Sequence, residues 1–404
     1  MKVLALAGYD SFLNTVRLIA PYFRAEGCDV DFALVKARQR KQISSVQIDE
    51  MGLAAPVRTT TIDGLFKNDR IASYDIVLSC LEGMSTRRLF RHLAALPDKR
   101  PFVISVYPGL LLRYAYDGLS MRAPADRLWL NCPRDMDAYT AMCAAFGIDA
   151  SNARVLGNGS VLERIDRRPD AADGPVVFFE QAIIPRYYEE RKFLIEQLCA
   201  LARRNPGREI LIKARAAGKK ATLHRTWHPI EHLLDEAAQS PAGVPDNLRL
   251  TEERASELLS RAAHCLTISS TVAVEALHAG VPTTLISDFG AHDDYGLPYF
   301  FGSGLLRPFD QVDLDAPPTC DDAWLSHATG NPTSTVAQLA RDAVDAARMP
   351  HGALDPQRFT PMNSLAFETG IMKAWGMTYL IDRKFKSKRM PFSDLLRRFH
   401  RRKT

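Results

Sequence analysis

The sequence lacks any apolar run long enough to cross a membrane as a helix. Such a helix requires about 18 or more consecutive apolar residues, and charged residues interrupt the hydrophobic stretches of this 404-residue chain well before that length. The apolar start, Val3 to Ala7, ends at Tyr9-Asp10, so it is too short for a signal peptide and instead predicts a first β-strand. We therefore expect a cytoplasmic protein.

Cysteine is also scarce, and no two cysteines form a CxxC pair. An odd number of scattered cysteines disfavours a disulfide framework or a zinc site and favours reduced thiols in apolar elements. The seven are Cys28, Cys80, Cys132, Cys143, Cys199, Cys265 and Cys320. The sequence also has neither a GxxxxGK[ST] phosphate loop nor an HExxH zinc motif.

What the sequence does contain is ample material for folded cores. Hydrophobic residues make up 46% and charged residues 25% of the chain, which is ordinary for a globular protein of two to three domains. The net charge of +5 is unevenly distributed, because residues 383–404 carry +9 and leave −4 for the rest. Since the body is mildly acidic, we expect no nucleic-acid partner.

Short strands rich in Val, Ile and Leu alternate with helical stretches through most of the chain, a pattern typical of parallel sheets covered by helices. A polar segment with Pro169 and Gly174 interrupts the alternation and predicts a linker. We therefore expect a first α/β domain over 1–160, a linker over 161–174, a second α/β domain over 175–330, C-terminal helices over 331–382 and a basic tail over 383–404.

The first candidate site is the turn Ser269-Ser270-Thr271, where a predicted buried strand runs into a helix. Backbone N–H groups and hydroxyl donors converge at such a turn, at the strand end where open α/β sheets bind ligands. The turn therefore predicts a phosphate-binding site. Glu275, on the following helix, is predicted to belong to the same site. An ordinary helix cap is the alternative interpretation.

The second candidate lies around a predicted strand end at Lys213, followed by Arg215 and, further on, His228-Pro229. Proline suits the first helical turn, which would place His228 at the cap. The imidazole could then donate to a phosphate oxygen or protonate it, while the cations stabilise a departing nucleotide. A solvated basic loop with a capping histidine is the alternative.

The third candidate is Glu82, which precedes Gly83 at the end of a predicted strand of the first domain. A carboxylate there could accept the proton of an acceptor hydroxyl, or it could simply be a turn residue.

Together, Glu82-Gly83, His228-Pro229 and Ser269-Ser270-Thr271 resemble motifs of the bacterial GT-B sialyltransferases and Kdo transferases, which use CMP-activated ulosonic acids. A longer stretch, from about Val176 to Phe309, is similar to a family of bacterial glycosyltransferases without assigned activity. The sequence departs from the first pattern at Leu81, where a second acid is common, and in the long spacing from Lys213 to His228.

The resemblance implies the GT-B fold, in which two Rossmann-like domains face a central cleft, with additional C-terminal helices. It implies an inverting, metal-independent glycosyltransferase with Glu82 as general base and His228 as phosphate partner. It also implies a nucleotide seat. Its members are Lys213, Arg215, His228, Pro229, Ser269, Ser270, Thr271 and Glu275.

The implied donor is a CMP-sugar carrying a sialic acid-like or Kdo-like ulosonic acid, and the implied acceptor is a cell-surface or lipid-linked glycan. No cofactor is expected. Three DxD spacings (Asp29/Asp31, Asp135/Asp137 and Asp313/Asp315) occur, but such short spacings arise easily by chance, so we predict no catalytic metal.

The tail over 383–404 interleaves cations with Leu395, Leu396 and Phe399, which share one helical face. An interfacial helix on the inner face of the plasma membrane and a disordered basic tail both fit this pattern.

Three other functions fit the same two-domain pattern. A teichoic-acid-type transferase would move a polyol phosphate from a CDP donor, and a nucleotide-sugar 2-epimerase would invert its substrate without an acceptor. A non-catalytic nucleotide-binding scaffold comes last, because it gives no reason for a carboxylate and a phosphate seat facing one cleft.

Overall fold

The first domain is built on a seven-stranded parallel sheet. The computed structural model describes residues 1–36, 48, 51–53, 56–67, 70–96, 99–107, 109–112, 115–214 and 228–363. The strand order is β3-β2-β1-β4-β5-β6-β7. The strands are β1 (Lys2–Ala7), β2 (Asp29–Val35), β3 (Val57–Thr60), β4 (Ile76–Cys80), β5 (Phe102–Val106), β6 (Arg127–Leu130) and β7 (Ala153–Val155).

Helices cover both faces of this sheet, as fully buried parallel strands require. The central strands β4 and β5 are buried along their whole length. The helices are α1 (Asp10–Ala25), α2 (Ile62–Phe66), α3 (Gly83–Leu93), α4 (Ala115–Arg122) and α5 (Pro133–Ala145).

The second domain repeats this plan with a six-stranded parallel sheet of order β10-β9-β8-β11-β12-β13. Its strands are β8 (Val176–Phe179), β9 (Ile210–Lys213), β10 (Leu248–Thr251), β11 (His264–Thr267), β12 (Thr283–Ile286) and β13 (Leu306–Arg307). Its helices are α6 (Tyr188–Arg204), α7 (Ile230–Ala238), α8 (Ala255–Arg261), α9 (Val272–His278) and α10 (Asp322–Ala328).

The predicted fold class is confirmed: two Rossmann-like α/β domains, each with its own buried core, make up the described chain. Two edge strands, β3 and β13, were not predicted from the sequence. These strands are short and mostly half-buried, without alternation of buried and exposed residues, so they carry little periodic signal.

After the second domain the chain returns to the first. The Gly330 carbonyl accepts from the Asn158 N–H at 2.8 Å, and the Thr335 hydroxyl donates to the Leu156 carbonyl at 2.6 Å. Helix α11 (Val336–Arg348) then buries one apolar stripe in the core that contains α1. The short helix α12 (Thr360–Asn363) ends the described chain, and the predicted helix beyond 363 and the basic tail lie outside the described residues.

The predicted linker is not an isolated spacer. The backbone N–H of Arg168 donates to the Ser260 carbonyl at 2.8 Å, and the Arg167 side chain donates to the Leu259 carbonyl at 3.2 Å. Its second half is therefore fixed to the end of α8 in the second domain. No helix in the described part of the chain is long and apolar enough to cross a membrane.

Since α11 packs on α1, we expect Val344→Ala to loosen the first domain selectively. Val344 is 1% exposed, and truncating it leaves a small cavity that costs about 2 kcal/mol of unfolding free energy. Amide hydrogen exchange should accelerate in α1 and remain unchanged in α6. The exposed substitution Ala337→Ser is the control, and an equal effect on α1 and α6 would contradict the assignment of α11 to the first domain.

Candidate functional site

Glu82 lies at the point where the strand order of the first sheet reverses, between β1 and β4. Ligands of open α/β sheets bind outside the carboxyl ends of the strands at such a point. Gly8 follows β1 there, and a Cβ atom on Gly8 would lie 3.2 Å from Oε2 of Glu82. Glycine at position 8 therefore leaves the space that the carboxylate of Glu82 occupies.

The two carboxylate oxygens of Glu82 have different surroundings. Oε1 accepts from the Ser85 N–H at 3.2 Å and from the Ser85 hydroxyl, so it caps helix α3. The side chain is half-buried, and Oε2 faces Gly8. The capping role and the base role proposed from the sequence are thus compatible, because they use different oxygens.

A buried guanidinium supports the turn that carries Glu82. Arg122 donates to the Leu81 carbonyl at 2.6 Å and lies 4.3 Å from the centre of the Tyr107 ring. Burial lowers the pKa of Arg122, while the nearby Glu82 carboxylate acts in the opposite direction. A cation therefore lies behind the proposed base.

In the second sheet the strand order reverses between β8 and β11, and Ser269 lies there. It is fully buried, and its backbone N–H donates to Oε1 of Gln181 at 2.9 Å. Its hydroxyl donates to the Tyr295 carbonyl and accepts from Nε2 of Gln181 at 3.3 Å. Both donors of Ser269 are used inside the protein, so in this geometry it holds the turn in place.

The next residues of the turn are more accessible. The Ser270 hydroxyl accepts from the Val272 N–H at 3.3 Å, while Thr271 is the N-cap of helix α9 and makes no side-chain capping bond. Both are half-buried, as is Glu275 in the first turn of α9. Thr271 and Glu275 therefore offer side chains at the end of β11.

Lys213 ends β9, next to β8, and its ammonium donates to the Glu252 carbonyl at 3.3 Å. The half-buried His228 contacts the Tyr188 ring edge to face, with centroids 5.5 Å apart. One expectation needs correction: Pro229 is itself the cap and helix α7 begins at Ile230, because the ψ of Pro229 is extended at 139°. His228 thus precedes the cap, and Arg215 lies outside the described residues.

Between the two domains lies a cavity of about 440 Å³. Both lobes and the segment that joins them contribute to its walls. The first lobe supplies Asp10, Ser11, Phe12, Asn14, Thr15, Met51 and Gly109; the connection supplies Asn158, Ser160, Glu163 and Ile165; and the second lobe supplies Ala182, Arg254, Ala255, Ser256, Thr271 and Glu275. The cavity is therefore interdomain, and its walls combine polar and apolar side chains.

Of the predicted site residues that the structure describes, Thr271 and Glu275 line this cavity, whereas Glu82, Lys213, His228, Ser269 and Ser270 lie outside its lining. Glu82 lies close to its first-lobe wall, since Gly8 is two residues from Asp10. Only two of the described residues of the predicted nucleotide site, Thr271 and Glu275, therefore line the cavity.

Sequence reasoning missed several polar residues of the cavity, above all Asp10 and Glu163. Asp10 opens α1 just after β1, and an acid after a strand is the same signal that identified Glu82. Glu163 gave no such signal, because it belongs to the polar segment that was interpreted as a linker.

The two lobes approach each other closely at Gly109 and Thr271. Gly109 has a φ of +96°, and a Cβ atom on it would lie 3.4 Å from Cγ2 of Thr271. The Asn131 side chain donates to the Gly109 carbonyl at 2.7 Å and to the carboxylate of Asp135 at 3.2 Å. Burial raises the pKa of Asp135 to about 6. This buried pair fixes the loop that faces the second domain.

Solved structures with the same arrangement of domains include several sugar-nucleotide enzymes. The S. aureus MnaA–UDP structure superimposes with a TM-score of 0.58 at 11% identity, covering 85% of this chain and 96% of that one. A "putative UDP-N-acetylglucosamine 2-epimerase" from Listeria monocytogenes gives 0.55 at 13% identity, covering 87% and 98%. UDP-GlcNAc 2-epimerase from Neisseria meningitidis bound to UDP-GlcNAc gives 0.50 at 12% identity, covering 86% and 99%. At these identities the likeness establishes the fold.

No curated protein matches the chain in sequence. A family model does match, and it spans residues 3–342, which includes both sheets and the first half of α11. The two Rossmann-like domains and the solved structures give the chain the GT-B fold, and on the family match it belongs to the family described as "Putative glycosyltransferase (DUF6716)".

Proposed function

We propose that this protein is an inverting glycosyltransferase that transfers a sugar from a nucleotide donor within the interdomain cavity. One observation carries the proposal: a cavity lined by carboxylates and hydroxyls lies between two Rossmann-like domains, beside the strand-order reversal of each sheet. The nucleotide would lie along the carboxyl edge of the second sheet, near Lys213, His228 and the turn over 269–271. The acceptor would enter from the first-domain side.

The reaction would proceed by a single displacement. The acceptor hydroxyl oxygen forms a bond to the anomeric carbon while the bond from that carbon to the donor phosphate oxygen breaks. Glu82 takes the hydroxyl proton on Oε2, and the electron pair leaves with the nucleotide. The charge growing on the phosphate would be met by Lys213, His228 and the donors of Ser270 and Thr271, so the scheme requires no metal.

The charge of the cavity bears on which sugar is transferred. Among the described residues of its lining, Asp10, Glu163 and Glu275 are acidic and Arg254 is the one cation. Glu163 also lies 3.9 Å from Arg17, which reduces the excess negative charge without removing it. An ulosonic acid would bring its own carboxylate to these acidic side chains, so the described part of the lining favours an uncharged sugar over the ulosonic acid inferred from the motifs.

A nucleotide-sugar 2-epimerase is the second candidate. The observation that favours it is the domain arrangement that this chain shares with solved structures described as UDP-N-acetylglucosamine 2-epimerases. Incubating the protein with donor alone and following the sugar by NMR separates the first two candidates: an epimerase inverts the sugar at C2, whereas a glycosyltransferase leaves it intact until acceptor is added. A new phosphodiester formed from a CDP-polyol donor and an acceptor hydroxyl, with release of CMP, would indicate polyol-phosphate transfer.

We expect Glu82→Gln to reduce transfer by about 10²–10⁴-fold, the typical contribution of a general base. Glutamine retains an acceptor for the Ser85 bonds, so α3 should stay capped and the nucleotide Kd should change less than about twofold. Initial rates and calorimetric titrations measure the two effects. Asp10→Asn is the matched comparison: loss of activity there with retention in Glu82→Gln would identify Asp10 as the base.

We expect a nucleotide or its sugar to raise the melting temperature, since a ligand bound only to the native state stabilises it, by about 2.7 kcal/mol at 100 times Kd. CMP, CDP, UDP, GDP and their sugars form the screen. His228→Ala should weaken both the shift and turnover if the imidazole contacts the phosphate. A wild-type protein that none of these ligands stabilises would contradict the proposed function, and selective stabilisation by a CMP-ulosonic acid would contradict the charge argument.

A further inference from the structure

A buried arginine of the second domain uses all of its hydrogen-bond donors close to the proposed nucleotide site. The acceptors are four backbone carbonyls and one carboxylate. Arg191 lies in the first turn of α6 and is 2% exposed. A guanidinium has five N–H donors in a fixed planar fork. Nη1 donates to Glu180 Oε1 at 2.7 Å and the His228 carbonyl at 3.1 Å, Nη2 to the Gln181 and Ala182 carbonyls at 2.9 Å each, and Nε to the Pro185 carbonyl at 2.9 Å.

These acceptors belong to two segments that are distant in sequence. Residues 180–185 form the loop after β8, and His228 lies in the turn before α7. The Gln181 side chain in turn binds the N–H and hydroxyl of Ser269. Arg191 therefore contacts the His228 turn directly and the 269–271 turn through Gln181.

We propose that Arg191 is a positioning residue that sets the spacing between the His228–Pro229 turn and the Ser269–Thr271 turn. The inference rests on the proposed function, in which these turns hold the nucleotide phosphate. Arg191 is not a catalytic residue, because its guanidinium is buried and its five donors are already engaged. It acts by holding fixed the groups that would meet the ligand.

The pairing with Glu180 makes this arrangement rigid. Glu180 is 6% exposed and follows β8 directly, so the ion pair is excluded from water and joined to the sheet. Lysine at position 191 would keep the charge but offers only three donors on a single nitrogen. It could not reach Glu180, the 181–185 carbonyls and His228 together.

The first test is amide hydrogen exchange in the ligand-free full-length protein. In Arg191→Lys we expect exchange in Gln181–Ile184 and in Ile230–Leu233 to accelerate by roughly tenfold or more, the magnitude of a lost hydrogen bond to a charged group. Arg100→Lys is the matched control. Arg100 is a buried guanidinium of the first domain that pairs with Asp126 at 2.6 Å and donates to the Gly352 carbonyl, so the control should leave both segments unchanged.

Glu180→Gln serves as a second variant in case Arg191→Lys does not fold. It keeps an acceptor near Nη1 but removes the ion pair, and it should accelerate the same two segments to a smaller extent. Unchanged exchange in Ile230–Leu233 in a folded Arg191→Lys protein, or in Glu180→Gln if only that variant folds, would overturn the inference, because the His228 turn would then be held by other contacts.

The second test is nucleotide affinity, with UDP and CMP as probes. Arg191→Lys should weaken the Kd at least about tenfold, whereas Arg100→Lys with a similar loss of melting temperature should bind as the wild type does. The double variant with His228→Ala should lose less affinity than the sum of the two single losses, because both changes affect the His228 turn. Equal affinity of Arg191→Lys and wild type would overturn the positioning role. A wild type that binds none of the nucleotides and sugar nucleotides in the melting-temperature screen would overturn the proposed function and leave the exchange result to decide the inference.

Discussion

The structure depends on a geometric property of parallel sheets: all their strands end at one edge. In each domain, buried strands deliver the following residues to that edge, and the crevice opens where helices depart to opposite faces. The first sheet brings Gly8 and Glu82 to this point, and the second brings Gln181 and Ser269. A cavity between the domains can therefore be lined from two sheets that are remote in sequence.

The return of the chain to the first domain constrains how the two edges face each other. Residues 330–335 bind the segment over 156–158 from which the chain leaves the first domain, and α11 packs on α1. The chain thus crosses between the domains at two adjacent points. Because both crossings lie on one side, the domains are joined there and separated at the cavity.

The repeated α/β plan could be predicted from the sequence because buried parallel strands are nearly continuous apolar runs, as β4 and β5 are. The position of Glu82 at the edge of the first sheet could be predicted for the same reason. It follows β4, whose apolar run shows clearly where the strand ends. The roles of Ser269 and Arg191 could not be predicted, because they depend on partners far away in sequence. Ser269 and Ser270 are neighbours of the same residue type, and only the structure reveals that Gln181 and Tyr295 occupy the donors of Ser269.

Asp10 and Glu163 illustrate a second limit of sequence reasoning. Asp10 carries the same local signal as Glu82, an acid after a strand, and only the position of the cavity distinguishes the two. Glu163 lies in a segment with a linker's composition, yet it accepts from Asn14 in the first domain and from Ser256 in the second. A polar composition marks a connection between domains without indicating what the connection contacts.

The contacts that join the two lobes differ in strength. Glu163, in the connection between the domains, lies 3.9 Å from Arg17 and 3.5 Å from Arg254, and the Arg254 side chain is 57% exposed. Such long, solvated ion pairs contribute little. Arg134 of the first domain, in contrast, donates to the Tyr299 carbonyl at 2.7 Å and lies 4.8 Å from the centre of its buried ring. The Tyr299 contact therefore holds the lobes together more firmly than the Glu163 ion pairs do.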